Sequence, residues 1–147
     1  MIIQLTVPGQ PMGKQVARAR NVNTKAGKSF IMHYTPKKTV NYMVFVKELF
    51  VIKYPNFKPW EGAISTNITA YLTIPKSKSN KQKELMRQGK ILPIVKPDED
   101  NIKKAIYDAL EKLTFIDDKQ VVRSSFAKYY SETPRVEIIV SEINLDK

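Results

Sequence analysis

The stretch DEDNIKKAIYDALEKL, residues 98–113, places Ile102, Ala105, Ile106, Ala109, Leu110 and Leu113 at helical spacing on one face. Lys103, Lys104, Tyr107 and Asp108 lie around the remaining surface. Apolar positions three and four apart form a stripe that is stable only when buried against another layer. The acids that open the stretch suit a helix N-terminus, where orphan N–H groups and the helix dipole favour negative charge. The stretch predicts an amphipathic helix with one face in the core.

Downstream, Gln120–Tyr130 and Arg135–Ile143 predict two strands, the second alternating Val136, Ile138 and Val140 against Glu137, Ile139 and Ser141. Glu132, Thr133 and Pro134 supply a turn between them, which predicts a C-terminal hairpin. Upstream, residues 63–74 alternate Ile64, Ile68, Ala70, Leu72 and Ile74 with polar residues, the period of a half-buried strand. Ile2, Ile3, Leu5 and Val7 form an N-terminal strand that ends at Pro8-Gly9. Thr35-Pro36 predicts a helix start, with Thr35 as cap. On that helix Val40, Met43, Val44, Phe50, Val51 and Tyr54 share one face, while Phe45, Leu49 and Ile52 lie opposite. It is therefore expected to be covered twice, by its own sheet and by a neighbouring element or subunit.

The segment 76–90 is a basic excursion in which Ser79 or Asn80 caps a short helix closed by Gly89. Ile91–Val95 is a short apolar run, a strand only at an edge because of Pro93. Residues 9–29 are basic and aperiodic, which predicts a long loop ordered by ligand. Gly27-Lys28-Ser29 is no phosphate-binding loop, since Val22 stands where that motif needs glycine. The mixed order of strands and helices predicts an α+β fold, a small mixed sheet with two main helices in one domain spanning 1–147.

The 147 residues include 25 Lys+Arg against 14 Asp+Glu, a formal net charge of +11. The imbalance is uneven: ten bases to one acid over 1–60, seven to two over 61–97, but eight to eleven over 98–147. Excess Lys and Arg suit a polyanion, because neutralising phosphates releases counterions. No cysteine is present and His33 is the single histidine, which excludes thiol catalysis, disulfides and zinc sites of the Cys or multi-His kind. Any metal must be held mainly by oxygen, and His33 is expected to be a structural or surface residue. No apolar run approaches the roughly 20 residues of a membrane span. Residues 1–7 lack a leader pattern. The expectation is a cytoplasmic protein with no membrane partner.

The acids grouped late in the chain admit two readings. Asp98, Glu99 and Asp100 are ordinary helix-start residues, and Asp117-Asp118 suits a turn. In a chain almost stripped of acids before position 98, grouping them is also what a hard, oxygen-ligated Mg2+ would need beside phosphate. The two groups flank a helix about 22 Å long at 1.5 Å per residue, so they meet only if the chain doubles back. A strand entered near Asp118 and running antiparallel to the helix would lead toward its N-terminus.

The run KPDEDNIKKAIYDALEKLTFIDDKQVV, Lys96 to Val122, closely resembles the signature of the RusA family of Holliday junction resolvases: PDxDN, Lys and Ala on the following helix, DAL, then DD and QVV. Pro8-Gly9, a loop with Lys14, Arg18 and Arg20, and Tyr34-Thr35-Pro36 are similar to its N-terminal region. The resemblance implies a RusA-like α+β domain and a homodimeric, Mg2+-dependent endonuclease, with Mn2+ as a substitute. Such an enzyme cuts four-way junction DNA symmetrically in recombination and repair. Carried over, Asp98, Asp100 and Asp118 are the essential carboxylates and metal ligands, Asp117 the adjacent acid, and Lys104 the functional helix lysine. Asn101 belongs to the motif, and Glu99 departs from it where an apolar residue is frequent.

The chemistry stands apart from the family. Hydrolysing a phosphodiester needs a nucleophilic water, a cation against the nonbridging oxygens and stabilisation of the leaving alkoxide, and Asp-held Mg2+ supplies all three. Lys104, at i+4 from Asp100, lies on the same helix side and either reaches the scissile phosphate or pairs with Asp100 or Asp108. Lys14, Arg18, Arg20, Lys76, Lys78, Lys96 and Lys103 are the expected DNA contacts. Trp60 reads as packing, and at most one of the neighbours Tyr129 and Tyr130 faces DNA. Two alternatives remain open: a metal-dependent nuclease for other branched or single-stranded DNA, and a noncatalytic basic DNA-binding protein.

Overall fold

The computed structural model describes residues 1–15 and 18–145. In chain order the elements are β1 (Ile2–Pro8), β2 (Arg18–Asn23), β3 (Ser29–Tyr34), α1 (Lys37–Lys53), β4 (Ile64–Thr73), α2 (Asn80–Arg87), α3 (Glu99–Leu110), a 3-10 turn (Asp118–Gln120), β5 (Val121–Ser131) and β6 (Arg135–Glu142). The main sheet has the order β1-β6-β4-β5, and β2 pairs with β3 in a separate two-stranded ribbon. β6 is antiparallel to both β1 and β4, whereas β4 and β5 are parallel. Parallel neighbours need a long crossover, and α2 and α3 supply it. The fold is α+β, as the sequence predicts.

Alternation decides which sheet face is buried. Ile3, Leu5 and Val7 of β1, Ile64, Ile68 and Leu72 of β4, and Val136, Ile138 and Val140 of β6 all enter one core. Tyr42, Val46 and Phe50 of α1 cover them together with Ile102, Ala105, Ile106, Ala109 and Leu110 of α3. Trp60 closes the core at one end, edge-on to Phe57 at 5.3 Å and bridged to Phe115. The opposite sheet face carries Gln4, Thr6, Asn67, Thr69 and Glu137 around an open groove, polar as expected of a solvated antiparallel face.

Several expectations are corrected. Strands β5 and β6 are not a hairpin, because β4 lies between them and pairs with both. Strands in a sheet are about 4.8 Å apart, so the short link 132–134 needs to span only about 10 Å to step over β4. Arg135 steadies that link by donating to Thr133 O at 2.8 Å. Helix α1 begins after Pro36, which takes the cap position itself, so no side chain caps it. Its buried residues are Thr39, Tyr42, Val46 and Phe50, while Val40, Val44 and Val51 of the expected face are 39%, 44% and 50% exposed. Much of the segment 9–29 forms β2, part of β3 and the turn between them, closed by Gly27 at φ 78° and by Thr24 bonds to Lys28. Ile91–Val95 forms no strand, and Leu92, Ile94 and Val95 are exposed. The short basic helix α2 does form, with a reciprocal cap between Ser79 and Gln82 and with Gly89 at φ 74° past its end.

Candidate active site

At the start of α3, Asp98 occupies the cap position, yet its side chain makes no capping bond. Asp98 and Asp100 are exposed, and Glu99 turns to solvent, where it meets Lys103 at 3.3 Å. The departure at Glu99 thus leaves the neighbouring carboxylates untouched. Lys104 is exposed and, among the described residues, forms no ion pair with Asp100 or Asp108. Lys14 takes Asp108 instead.

The 9–15 segment is fastened across this helix start. Gly9 N–H donates to Pro134 O at 3.0 Å and Lys14 N–H to Asn101 O at 2.8 Å. Gln10 Oε1 accepts from Thr73 N at 2.9 Å and from Thr73 Oγ1 at 2.7 Å. A Cβ at Gly13 would lie 2.9 Å from both Asn101 Cβ and Pro97 Cβ, neither of which is a flexible tip. This close approach gives Asn101 a structural place in the motif. Gly13→Ala should therefore force the segment off α3 and lower stability by about 1–3 kcal/mol, the usual range for overpacking. Urea unfolding checks this, and an unchanged midpoint would contradict it. From below, Lys128 Nζ donates to Val95 O at 2.6 Å and Pro97 O at 3.0 Å, bracing the segment that leads into Asp98.

At the other end, α3 stops at Leu110, short of the residue 113 that its periodicity suggests. Glu111 is extended and Lys112 has φ 71°, so the chain reverses, with Lys112 N–H bonded to Phe115 O at 2.6 Å. The reversal brings the carboxylates of Glu111, Asp117 and Asp118 together, with ligand oxygens within 4.8 Å of one another. Asp117 accepts from Lys119 N–H at 2.9 Å, and that bond holds its carboxyl below the usual carboxylate range. Gln120 fixes the group from behind. Its Oε1 accepts from the Ile116 and Asp117 N–H groups, and its Nε2 donates to Trp60 O at 2.8 Å and Gly62 O at 2.9 Å.

Glu111 and Gln120 are the site residues that sequence reasoning missed. Glu111 looks like helix surface as long as the helix is run through residue 113. Lys112 gives no warning, being neither glycine nor asparagine at a left-handed position. Three convergent carboxylates with no sulfur or imidazole donor fit a hard cation such as Mg2+, whose oxygen ligands sit about 2.1 Å from the ion.

The two ends stay apart within one chain. Twelve residues of α3 span about 18 Å. Strand β5 does run back along the helix, but Lys128 is the residue that arrives at its start, roughly 23 Å of strand beyond Val121. The doubling back therefore does not bring Asp118 to Asp98. Among the described residues Asp98 and Asp100 belong to no group of three carboxylates or imidazoles.

The expected DNA contacts are scattered around the start of α3 and the ribbon. Lys96 is exposed there, while Lys103 pairs with Glu99 and Lys14 with Asp108. Lys76 and Lys78 are exposed ahead of α2. Arg20 lies over the Tyr34 ring at 5.9 Å on the ribbon, and the side chain of Arg18 lies outside the described residues. His33 is an exposed β3 residue paired with Ala19. Tyr129 is exposed, whereas Tyr130 packs against the core.

Comparison with known proteins bears on the site as a whole. Over 85 residues the chain is 44% identical to "Uncharacterized protein YqaN" of Bacillus subtilis (strain 168), a match covering 56% of this chain and 60% of that relative. The match thus spans less than two thirds of the relative's length. Residues 8–141 match the family described as Endodeoxyribonuclease RusA, a span that takes in both ends of α3 and the segment fastened across its start. The chain belongs to the RusA endodeoxyribonuclease family.

Proposed function

We propose that the protein is a structure-selective endodeoxyribonuclease that resolves four-way (Holliday) DNA junctions by paired, Mg2+-dependent phosphodiester hydrolysis. It acts in recombination and repair in the cytoplasm; among the described residues no helix is long and apolar enough to cross a membrane. One observation carries the reading: carboxylates stand at both ends of α3, with Asp98 and Asp100 exposed and Glu111, Asp117 and Asp118 converging. In a chain of net charge +11, carboxylates placed this way suit metal-assisted chemistry on a polyanion better than helix capping.

A single ion cannot be reached from both ends of an 18 Å helix, so the ligand set is completed by a second copy. A twofold axis that lays the helices antiparallel brings Asp98 and Asp100 of one copy to Asp117 and Asp118 of the other, and does so twice. Two equal sites are what paired nicks require. The exposed apolar side chains of Val40, Val44, Val51 and Ile52 on α1 supply contact area for such a dimer. Mg2+, or Mn2+ in its place, would activate a water, oppose charge on the nonbridging oxygens and stabilise the leaving alkoxide. Lys104, exposed beside Asp100 and without an ion pair among the described residues, meets the scissile phosphate. Lys14, Arg18, Arg20, Lys76, Lys78, Lys96 and Lys103 neutralise flanking phosphates, which positions DNA by shape more than by sequence.

Offering an immobile four-way junction and the matching linear duplex to purified protein, with Mg2+ and with EDTA, tests this. The junction should be cut in two symmetric strands with Mg2+ only, and the duplex left whole. Equal cutting of flaps or single strands would favour a broader nuclease. Binding with no cutting in either metal would leave a noncatalytic DNA-binding protein.

A further inference from the structure

A cavity of about 720 Å3 opens between the 9–15 segment and the start of α3. Its size falls within the range of about 300–1,000 Å3 typical of sites that hold small organic groups. Pro11 and Pro97 give it flat apolar walls, Gln10 and Asn101 bring amides, and Lys96 and Asp98 bring opposite charges.

The Gln10 amide has only one possible orientation. The backbone N–H of Thr73 donates to it, and an amide nitrogen cannot accept, so the oxygen must face Thr73. Its NH2 group is left over and, among the described residues, has no partner. Asn101 accepts from Lys14 N–H through its backbone carbonyl, and its side-chain amide makes no hydrogen bond among the described residues. Both walls are set before any ligand arrives, since Gly13 packs on Asn101 and Pro97, and Lys128 braces the 95–97 carbonyls.

Flat apolar walls suit the faces of a heteroaromatic ring, amides suit its polar edge, and Lys96 suits an attached phosphate. That combination describes a nucleotide. We propose that this cavity takes an unstacked nucleobase of the DNA next to the phosphate cut at Asp98, with the Gln10 NH2 donating to an acceptor on the base edge. The inference rests on the reading of the protein as a junction nuclease and names what its site recognises in a branch. Extruding a base from a duplex forfeits stacking and pairing, a loss that is smallest where the base is already unpaired. A preformed cavity for one base therefore favours branched over linear DNA without reading a long sequence.

The test measures binding alone, by fluorescence anisotropy of the full chain in EDTA. The probes are a linear duplex, the same duplex with one unpaired nucleotide bearing each of the four bases in turn, and the same bulge with an abasic residue. At least one base should bind roughly five-fold or more tighter than the abasic bulge, the scale of one hydrogen bond to the base edge. Gln10→Glu keeps the oxygen that Thr73 needs and removes only the NH2 donor, so the fold is preserved. The added charge weakens all probes alike and cancels in the ratio. In this variant the ratio should fall below two-fold. A wild-type ratio near one, or a ratio that survives in Gln10→Glu, would overturn the proposal. A protein that cuts junctions but gives a ratio near one loses the base cavity and keeps the proposed function. One that shows the ratio but cuts no junction does the reverse.

Discussion

Asp98→Asn, Asp100→Asn and Asp118→Asn should each lower junction cleavage by about a hundred-fold or more, the scale on which removing one electrostatic partner of a transition state acts. Junction binding should be unchanged or tighter. Each substitution preserves size and removes one negative charge from a surface that faces phosphate, so repulsion toward DNA falls together with the hold on a divalent cation. Stability should scarcely move. Asp98 makes no capping bond that Asn would lose, and Asn caps as well as Asp in any case. Single-turnover rates over a Mg2+ titration, with circular dichroism on the same samples, check all three variants. Near wild-type cleavage by all of them would defeat the metal-site assignment. A site complete within one chain at the Glu111 end would instead spare Asp98→Asn while losing activity in Asp118→Asn.

The parts of the fold legible in the sequence are those where periodicity has a single solution. The alternation in β4 and β6 and the stripe of α3 each bury one set of side chains and expose the other, so element and face follow together. Helix α1 has no such asymmetry. Both sides are apolar, and the core takes Tyr42, Val46 and Phe50 while Val44 and Val51 stay outside. Which face is buried depends on how α1 packs against α3, which periodicity does not report.

Strand pairing is likewise beyond local pattern. The turn at Glu132-Thr133-Pro134 looks like a hairpin, but β4, which comes earlier in the chain, occupies the place between β5 and β6. The ribbon β2-β3 escapes a reading by hydrophobicity because none of its described side chains belongs to the core.

At the candidate site, the residue types were legible and their grouping was not. A composition without cysteine and with one histidine points to oxygen ligands, and the run from Lys96 to Val122 supplies the carboxylates. The convergence of Glu111 with Asp117 and Asp118 depends on a reversal at Lys112 that leaves no mark on the sequence. The separation of Asp98 from Asp118 follows from helix length, and it turns the question of the site into one of assembly.

Subunit mixing tests that assembly most directly. Asp98→Asn and Asp118→Asn proteins, each inactive alone, are mixed, allowed to reassort and assayed on an immobile junction, with exchange followed by native mass spectrometry. In a mixed dimer one composite site carries both substitutions, and the other combines an intact Asp98 with an intact Asp118. Random reassortment makes half the dimers mixed, so about a quarter of the wild-type number of sites should return. Each mixed dimer should nick one strand of the junction and leave its symmetric partner uncut. Reassorted mixtures that stay inactive, or a protein that remains at the 16.9 kDa chain mass on junction DNA, would contradict the account.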